Sequence, residues 1–131
     1  MKTMKKFKAG QQGFTLIELI VVIAVLAILA VIILPRFMGF TESASEKAAL
    51  SDARNVLTAM EAQLASDPGL APDDIDGADL ADYVTLNGDF TNKSAGDTVS
   101  FEYVLTSGGK TYTASVIDGV LQPDVAIGTA S

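Results

Sequence analysis

The feature that most limits this chain is a run of apolar residues from Leu19 to Leu34, closed by Pro35 and Arg36. Counted from Phe14, the stretch reaches roughly 30 Å as an α-helix at about 1.5 Å per residue, which is the thickness of the hydrocarbon layer of a bilayer. It is long enough to span. Glu18 stands inside it with no Lys or Arg nearby. A carboxylate near the bilayer centre costs about 2.5 to 3.5 kcal/mol, so the position calls for a partner, and its own helix is expected to supply none.

Ahead of the run lie Lys2, Lys5, Lys6 and Lys8 with no acid among them, followed by Gly10-Gln11-Gln12-Gly13. The lysines predict that this leading segment stays in the cytoplasm and that everything after Arg36 faces out. A secretory signal would carry a small-x-small cleavage site after an apolar core of about 7 to 15 residues. Here the core is longer and Ala24, Ala27 and Ala30 are spaced by three, so that pattern is missing. Gly13-Phe14-Thr15-Leu16-Ile17-Glu18 follows the basic segment directly. In these residues the chain resembles the type IV pilin and pseudopilin family, whose short basic (class III) leader ends in Gly and is followed by Phe-Thr-Leu-Ile-Glu. Pro35 falls where many members have a proline. The resemblance covers about the first half of the chain; the second half matches only in general layout.

The resemblance implies cleavage by a membrane prepilin peptidase between Gly13 and Phe14, and methylation of the amine this frees on Phe14. It also implies assembly as a helical homo-oligomer in which that amine meets Glu18 of a subunit already in the filament. The pairing cancels two charges in a low-dielectric core, which gives the submerged acid a physical purpose. The competing reading is a plain signal anchor whose Glu18 rests near the cytoplasmic headgroups.

Composition excludes several classes. The formal charge is −7, and removing the four leader lysines makes it −11. Only Arg36, Lys47, Arg54, Lys93 and Lys110 then remain, spread too thinly for a phosphate-binding surface, so no direct nucleic-acid binding is expected. Cysteine, histidine and tryptophan are absent, which removes disulfides, thiol chemistry and the commonest general base. Neither an enzymatic activity nor a cofactor is expected. The sequon Asn92-Lys93-Ser94 is a match of the kind that occurs by chance.

Three segments follow: a leader over 1–13, a transmembrane or filament-core helix over 14–36, and an extracytoplasmic domain over 37–131. The helix is expected to continue into that domain to about residue 65. Pro35 removes a backbone donor and Gly39 weakens the next turn, which predicts a kink there; the resemblance implies that this region unwinds in a filament. Ser43-Ala44-Ser45-Glu46 has capping-box spacing and would restart a broken helix. Leu50, Ala53, Leu57, Met60 and Leu64 form an amphipathic stripe, and Ser66-Asp67-Pro68-Gly69 stops the helix.

The link over 71–82 is acidic. Asp73, Asp74, Asp76 and Asp79 are weak calcium candidates, lacking the spacing and the closing Glu of a defined calcium loop, against a solvated loop with a short helical turn over 78–83. Beyond it, 98–106 and 111–117 alternate with a period of two around a Gly108-Gly109 turn. Asp118-Gly119 signals a hairpin into Val120-Leu121-Gln122, which Pro123 cuts short, and 83–86 is a candidate fourth strand. The fold class is therefore α+β: one long helix, apolar then amphipathic, packed on an antiparallel sheet of about three or four strands.

Three functions fit this design. The first is the major pilin of a type IV pilus serving adhesion, twitching motility or DNA uptake, built by an assembly platform and its ATPase. The second is a pseudopilin of a type II secretion system, and the third a membrane-anchored adhesin domain that never polymerises. The acidic link lacks the tyrosine and proline pattern associated with the major pseudopilin, which favours the first.

Overall fold

The computed structural model describes residues 13–131. Lys2, Lys5, Lys6 and Lys8 lie outside the described residues. The chain divides into two compact units, one ending at Met38 and one from Gly39 to Ser131.

A single helix, α1 (Leu16–Ser66), runs through both, and its helical assignment is unbroken at Pro35 and Gly39. Ser43 to Glu46 therefore restarts nothing. Side chains from Leu16 to Leu34 are exposed throughout, and the helix is long and apolar enough there to cross a membrane. The helix ends as its sequence requires. Asp67 N–H closes the last turn on Gln63 O, and the Asp67 carboxylate accepts from Gly69 N–H at 3.0 Å.

In the second unit α1 is followed by a 3-10 turn (Pro72–Asp74), a short helix α2 (Gly77–Leu80) and five strands: β1 (Asp89–Asn92), β2 (Phe101–Ser107), β3 (Lys110–Ile117), β4 (Val120–Leu121) and β5 (Ala126–Thr129). The sheet is antiparallel in the order β1-β2-β3-β4, with β5 also paired to β3. The β2–β3 hairpin turns on Gly108 and Gly109, both at positive φ, and the β3–β4 hairpin on Asp118 (φ 52°) and Gly119 (φ 75°), the geometry a two-residue hairpin needs.

Phe101, Tyr103, Tyr112, Ala114 and Val116 point inward from β2 and β3 and meet Ala49, Ala53, Val56, Ala59 and Met60 of α1 in one core, completed by Ile75 and Leu80. Alanines on the helix let the aromatic side chains of the sheet approach closely. Burying one such aromatic is worth roughly 1.5 to 3 kcal/mol, so this face fixes the unit. Ala53 and Met60 are buried as the stripe predicts, but Leu50, Leu57 and Leu64 are only half-buried, and Ala49 and Val56 are covered in their place. The buried face is thus turned by about one residue. Leucines mark the centre of the apolar stripe in the sequence, whereas the closest approach of the sheet falls on smaller side chains.

The strands differ from expectation at both ends of the sheet. Residues 83–86 form a turn and an irregular segment, not a strand, and the first strand begins at Asp89. The alternation over 98–106 begins later as a strand, because Ala95 and Thr98 pair as a lone bridge around a turn and β2 starts at Phe101. Strand β5 has no apolar period to betray it: all four residues are exposed, and it is held by backbone pairing to Lys110–Thr113.

Gly88 marks a close approach that no sequence pattern announces. A Cβ there would lie 2.3 Å from the carbonyl oxygen of Val104, a backbone atom with nowhere to retreat. Gly88→Ala is therefore expected to cost about 2 to 4 kcal/mol, read as an earlier urea midpoint of the detergent-solubilised chain. An unchanged midpoint would show that the strand edge yields freely.

Candidate functional site

The site expected from the sequence lies at the start of α1. Phe14, Ile17, Glu18, Val21 and Val22 recur at helical spacing and line one open groove of about 380 Å³, so the two assembly candidates, Phe14 and Glu18, share a face. Phe14 is 85% exposed. Both Gly13 and Phe14 precede α1 in non-helical backbone, which leaves the Gly13–Phe14 bond outside any helix.

Glu18 has a local partner after all. The Thr15 N–H donates to Glu18 Oε2 at 2.9 Å, and the Glu18 N–H donates to Thr15 Oγ1 at 3.3 Å. This reciprocal pair is a capping box, with Thr15 capping α1 and Glu18 three residues in. The expectation that nothing nearby serves the carboxylate is thus corrected: a backbone donor one residue ahead of the helix holds it, and the positive end of the helix dipole favours its charge. Among the described residues no countercharge is provided, and Oε1 accepts no hydrogen bond. Thr-x-x-Glu ahead of an apolar run is a readable cap, but in a run of spanning length the cost of the acid is the more conspicuous signal.

Pro35 and Gly39 lie within the continuous helix, with open space where a Gly39 side chain would go. Asp73 and Asp74 sit on the 3-10 turn, whereas Asp76 and Asp79 form a second capping box on α2. Asp76 Oδ1 accepts from the Ala78 and Asp79 N–H groups at 2.7 and 3.0 Å, and Asp79 Oδ2 accepts from the Asp76 N–H at 3.0 Å. Among the described residues no three carboxylates converge in a way that would hold a metal ion. The hydrogen bonds from Asp79 and then Ala78 hold the Asp76 carboxyl below its usual value. Its contribution to the cap is therefore present above the unfolded carboxylate range and is lost as pH falls through the lowered value.

Asn92 has a task inside the fold. Its Nδ2 donates to the carbonyls of Pro72 and Ile75 at 2.8 and 2.7 Å, and its Oδ1 accepts from Ser94 N–H at 2.8 Å. The nitrogen that a sequon would offer for glycosylation is thus committed to tying the acidic link to β1. Tyr103 is fixed similarly: its hydroxyl lies 3.3 Å from Asp52 Oδ2 and accepts from Asn87 N–H at 2.9 Å. Burial, and after it the charge of Asp52, raises its pKa above the usual tyrosine value. Lys110 reaches Glu42 at 2.7 Å, which clamps the β2–β3 hairpin to α1.

Residues 8–34 match a family model described as the prokaryotic N-terminal methylation motif. Neither a curated protein nor a solved structure matches the chain. The matched segment spans the junction, the capping acid and the apolar part of α1 described above. The motif implies processing by a prepilin peptidase and filament assembly, and with the long apolar helix it fits a membrane-anchored precursor. The match supports a class III leader on this chain and, with it, the type IV pilin and pseudopilin family.

Proposed function

We propose that the chain is the major structural subunit of a type IV pilus. It is held in the cytoplasmic membrane by the apolar part of α1, with its N-terminus inside, until leader removal at Gly13/Phe14 releases it for polymerisation at the cell surface. The observation that carries this reading is the shared face of Phe14 and Glu18, exposed beside an apolar helix, with one carboxylate oxygen unused among the described residues. Hydrolysis of the Gly13–Phe14 bond turns an amide into an amine, and methylation leaves that amine basic. A cation then exists at the apolar end of each subunit, four residues from an acid with no countercharge among the described residues. Within one chain that acid is already occupied by the cap through Oε2, so a neighbouring chain's Phe14 is the natural partner for Oε1. Adhesion, twitching motility or DNA uptake would be the service of such a fibre. The kink expected at Pro35 and Gly39 belongs to the same proposal, as the place where α1, continuous in the free subunit, loosens on entering a filament.

The test is to express the chain with its peptidase and platform, shear the cells and image the released material. Long surface fibres are expected; short fibres confined to the periplasm would indicate the secretion pseudopilin instead, and a cleaved chain that forms no fibre would remove both. In the same cells Gly13→Glu is expected to abolish leader removal, because a charged side chain replaces none at the scissile bond. Intact mass should then show the lysine-bearing precursor retained in membranes. Normal cleavage of that variant would contradict the assignment of the junction.

A further inference from the structure

Helix α1 enters the Gly39–Ser131 unit uncovered. Every residue described from Gly13 to Thr41 is exposed, Glu42 is the first that is half-buried, and Ala49 is the first that is fully buried. Most helical stability in a protein comes from packing, so a helix without cover opens locally. Pro35, which lacks a backbone donor, and Gly39, a poor helix former, weaken the uncovered part further. From Glu42 to Ala49 the helix advances about 10 Å before the core takes hold of it.

One element bridges that interval. The tip of the β2–β3 hairpin reaches α1 through two side chains: Lys110 Nζ lies 2.7 Å from Glu42 Oε2, and Ser45 Oγ donates to Ser107 Oγ at 3.2 Å. An exposed ion pair is worth little when both partners must be ordered to make it. Here the tip is ordered already. It turns on Gly108 and Gly109 at positive φ, Lys110 is paired in register with Thr129 of β5, and Ala130 N–H donates to Gly109 O at 3.0 Å. Strand β5 is exposed at all four residues and adds nothing to the core, yet it fixes the backbone from which Lys110 projects.

We propose that the β2–β3 hairpin, backed by β5, is a strap that stops local opening of α1 at Glu42. Opening of the helix ahead of Glu42 then ends at the strap and leaves the core from Ala49 onward intact. The strap belongs to the single subunit and does not depend on the filament reading.

Amide hydrogen exchange of the full-length chain in detergent micelles, followed by mass spectrometry of its peptides, tests this. In the native chain 42–48 is expected to exchange at least fivefold more slowly than 36–41. Lys110→Met with Ser107→Ala removes both side-chain contacts and should speed exchange over 42–48 at least threefold, with 53–60 unchanged. Lys110→Glu should do the same by setting two carboxylates together, and adding Glu42→Lys should restore the native rate to within twofold. Ala130→Pro deletes only the donor to Gly109 and suits an extended Thr129; it should speed 42–48 at least twofold, and no further in the chain that already lacks both contacts. Equal exchange over 36–41 and 42–48 in the native chain overturns the strap. So do variants that leave 42–48 unchanged, that speed 53–60 equally, or that the charge exchange fails to rescue. An Ala130→Pro chain with native exchange overturns the part given to β5.

Discussion

A chain carrying Glu18→Ala is expected to lose its leader normally and yet fall at least a hundredfold in filament yield. The proposed cleavage acts on Gly13–Phe14, in non-helical backbone ahead of α1, so the substitution leaves that bond unaltered. Assembly is different, because an incoming Phe14 amine would enter an apolar interior with no acid to meet it. Removing one member of a buried pair costs about 3 to 5 kcal/mol, and each 1.4 kcal/mol or so is a factor of ten in equilibrium. Glu18 also caps α1, a role worth about 1 kcal/mol in itself. Glu18→Gln separates the two roles: glutamine still accepts from Thr15 N–H but carries no charge. If the charge matters, the glutamine variant should assemble as poorly as the alanine variant. Should Glu18→Gln restore fibres, the acid is a cap and the ion pair is not the assembly force.

The apolar part of α1 was legible because its signal is local. A spanning run, a basic leader and a Gly-Phe junction are contiguous, and the family-model match over residues 8–34 covers the same stretch. The α+β class was legible too, since alternation along Phe101–Ser107 and Lys110–Ile117 reports a sheet with one buried face. What escapes a sequence reading is what depends on backbone approach between distant segments. Strand β5 pairs with β3 through main-chain groups, and Gly88 is required by a carbonyl sixteen residues away, so neither leaves an apolar period. Asn92 reads as a chance sequon because nothing in three residues reveals two carbonyls waiting seventeen and twenty positions upstream. At the site itself the acid is visible in the sequence, while its hydrogen bond to Thr15 is masked by the cost its charge would carry in lipid.

The phase of the helix stripe sets the second large effect. Leucine spacing in α1 points to Leu57 as the residue whose replacement by Asp would unfold the outer domain, but Leu57 is half-buried and Val56 is 1% exposed. Val56 lies in one core with Phe101, Tyr103 and Met60, and no buried polar side chain exists among the described residues to receive a charge. The phenol of Tyr103 in that core is already engaged by Asp52 and Asn87. Val56→Asp must therefore bury an unpaired carboxylate or stay protonated, and is expected to cost about 4 kcal/mol or more against a total of roughly 5 to 15 for a domain of this kind. Leu57→Asp can turn its carboxylate to water and should cost about 1 to 2 kcal/mol. Burial disfavours the charged form, so the carboxyl introduced by Val56→Asp would have a raised pKa in the folded state, and the deficit should shrink as pH falls through that raised value. Urea unfolding of both variants in detergent, at neutral and at mildly acidic pH, reads all three expectations. A Leu57→Asp chain less stable than Val56→Asp would mean that the sheet covers α1 on the leucine side, and the core described above would have to be rotated by one residue.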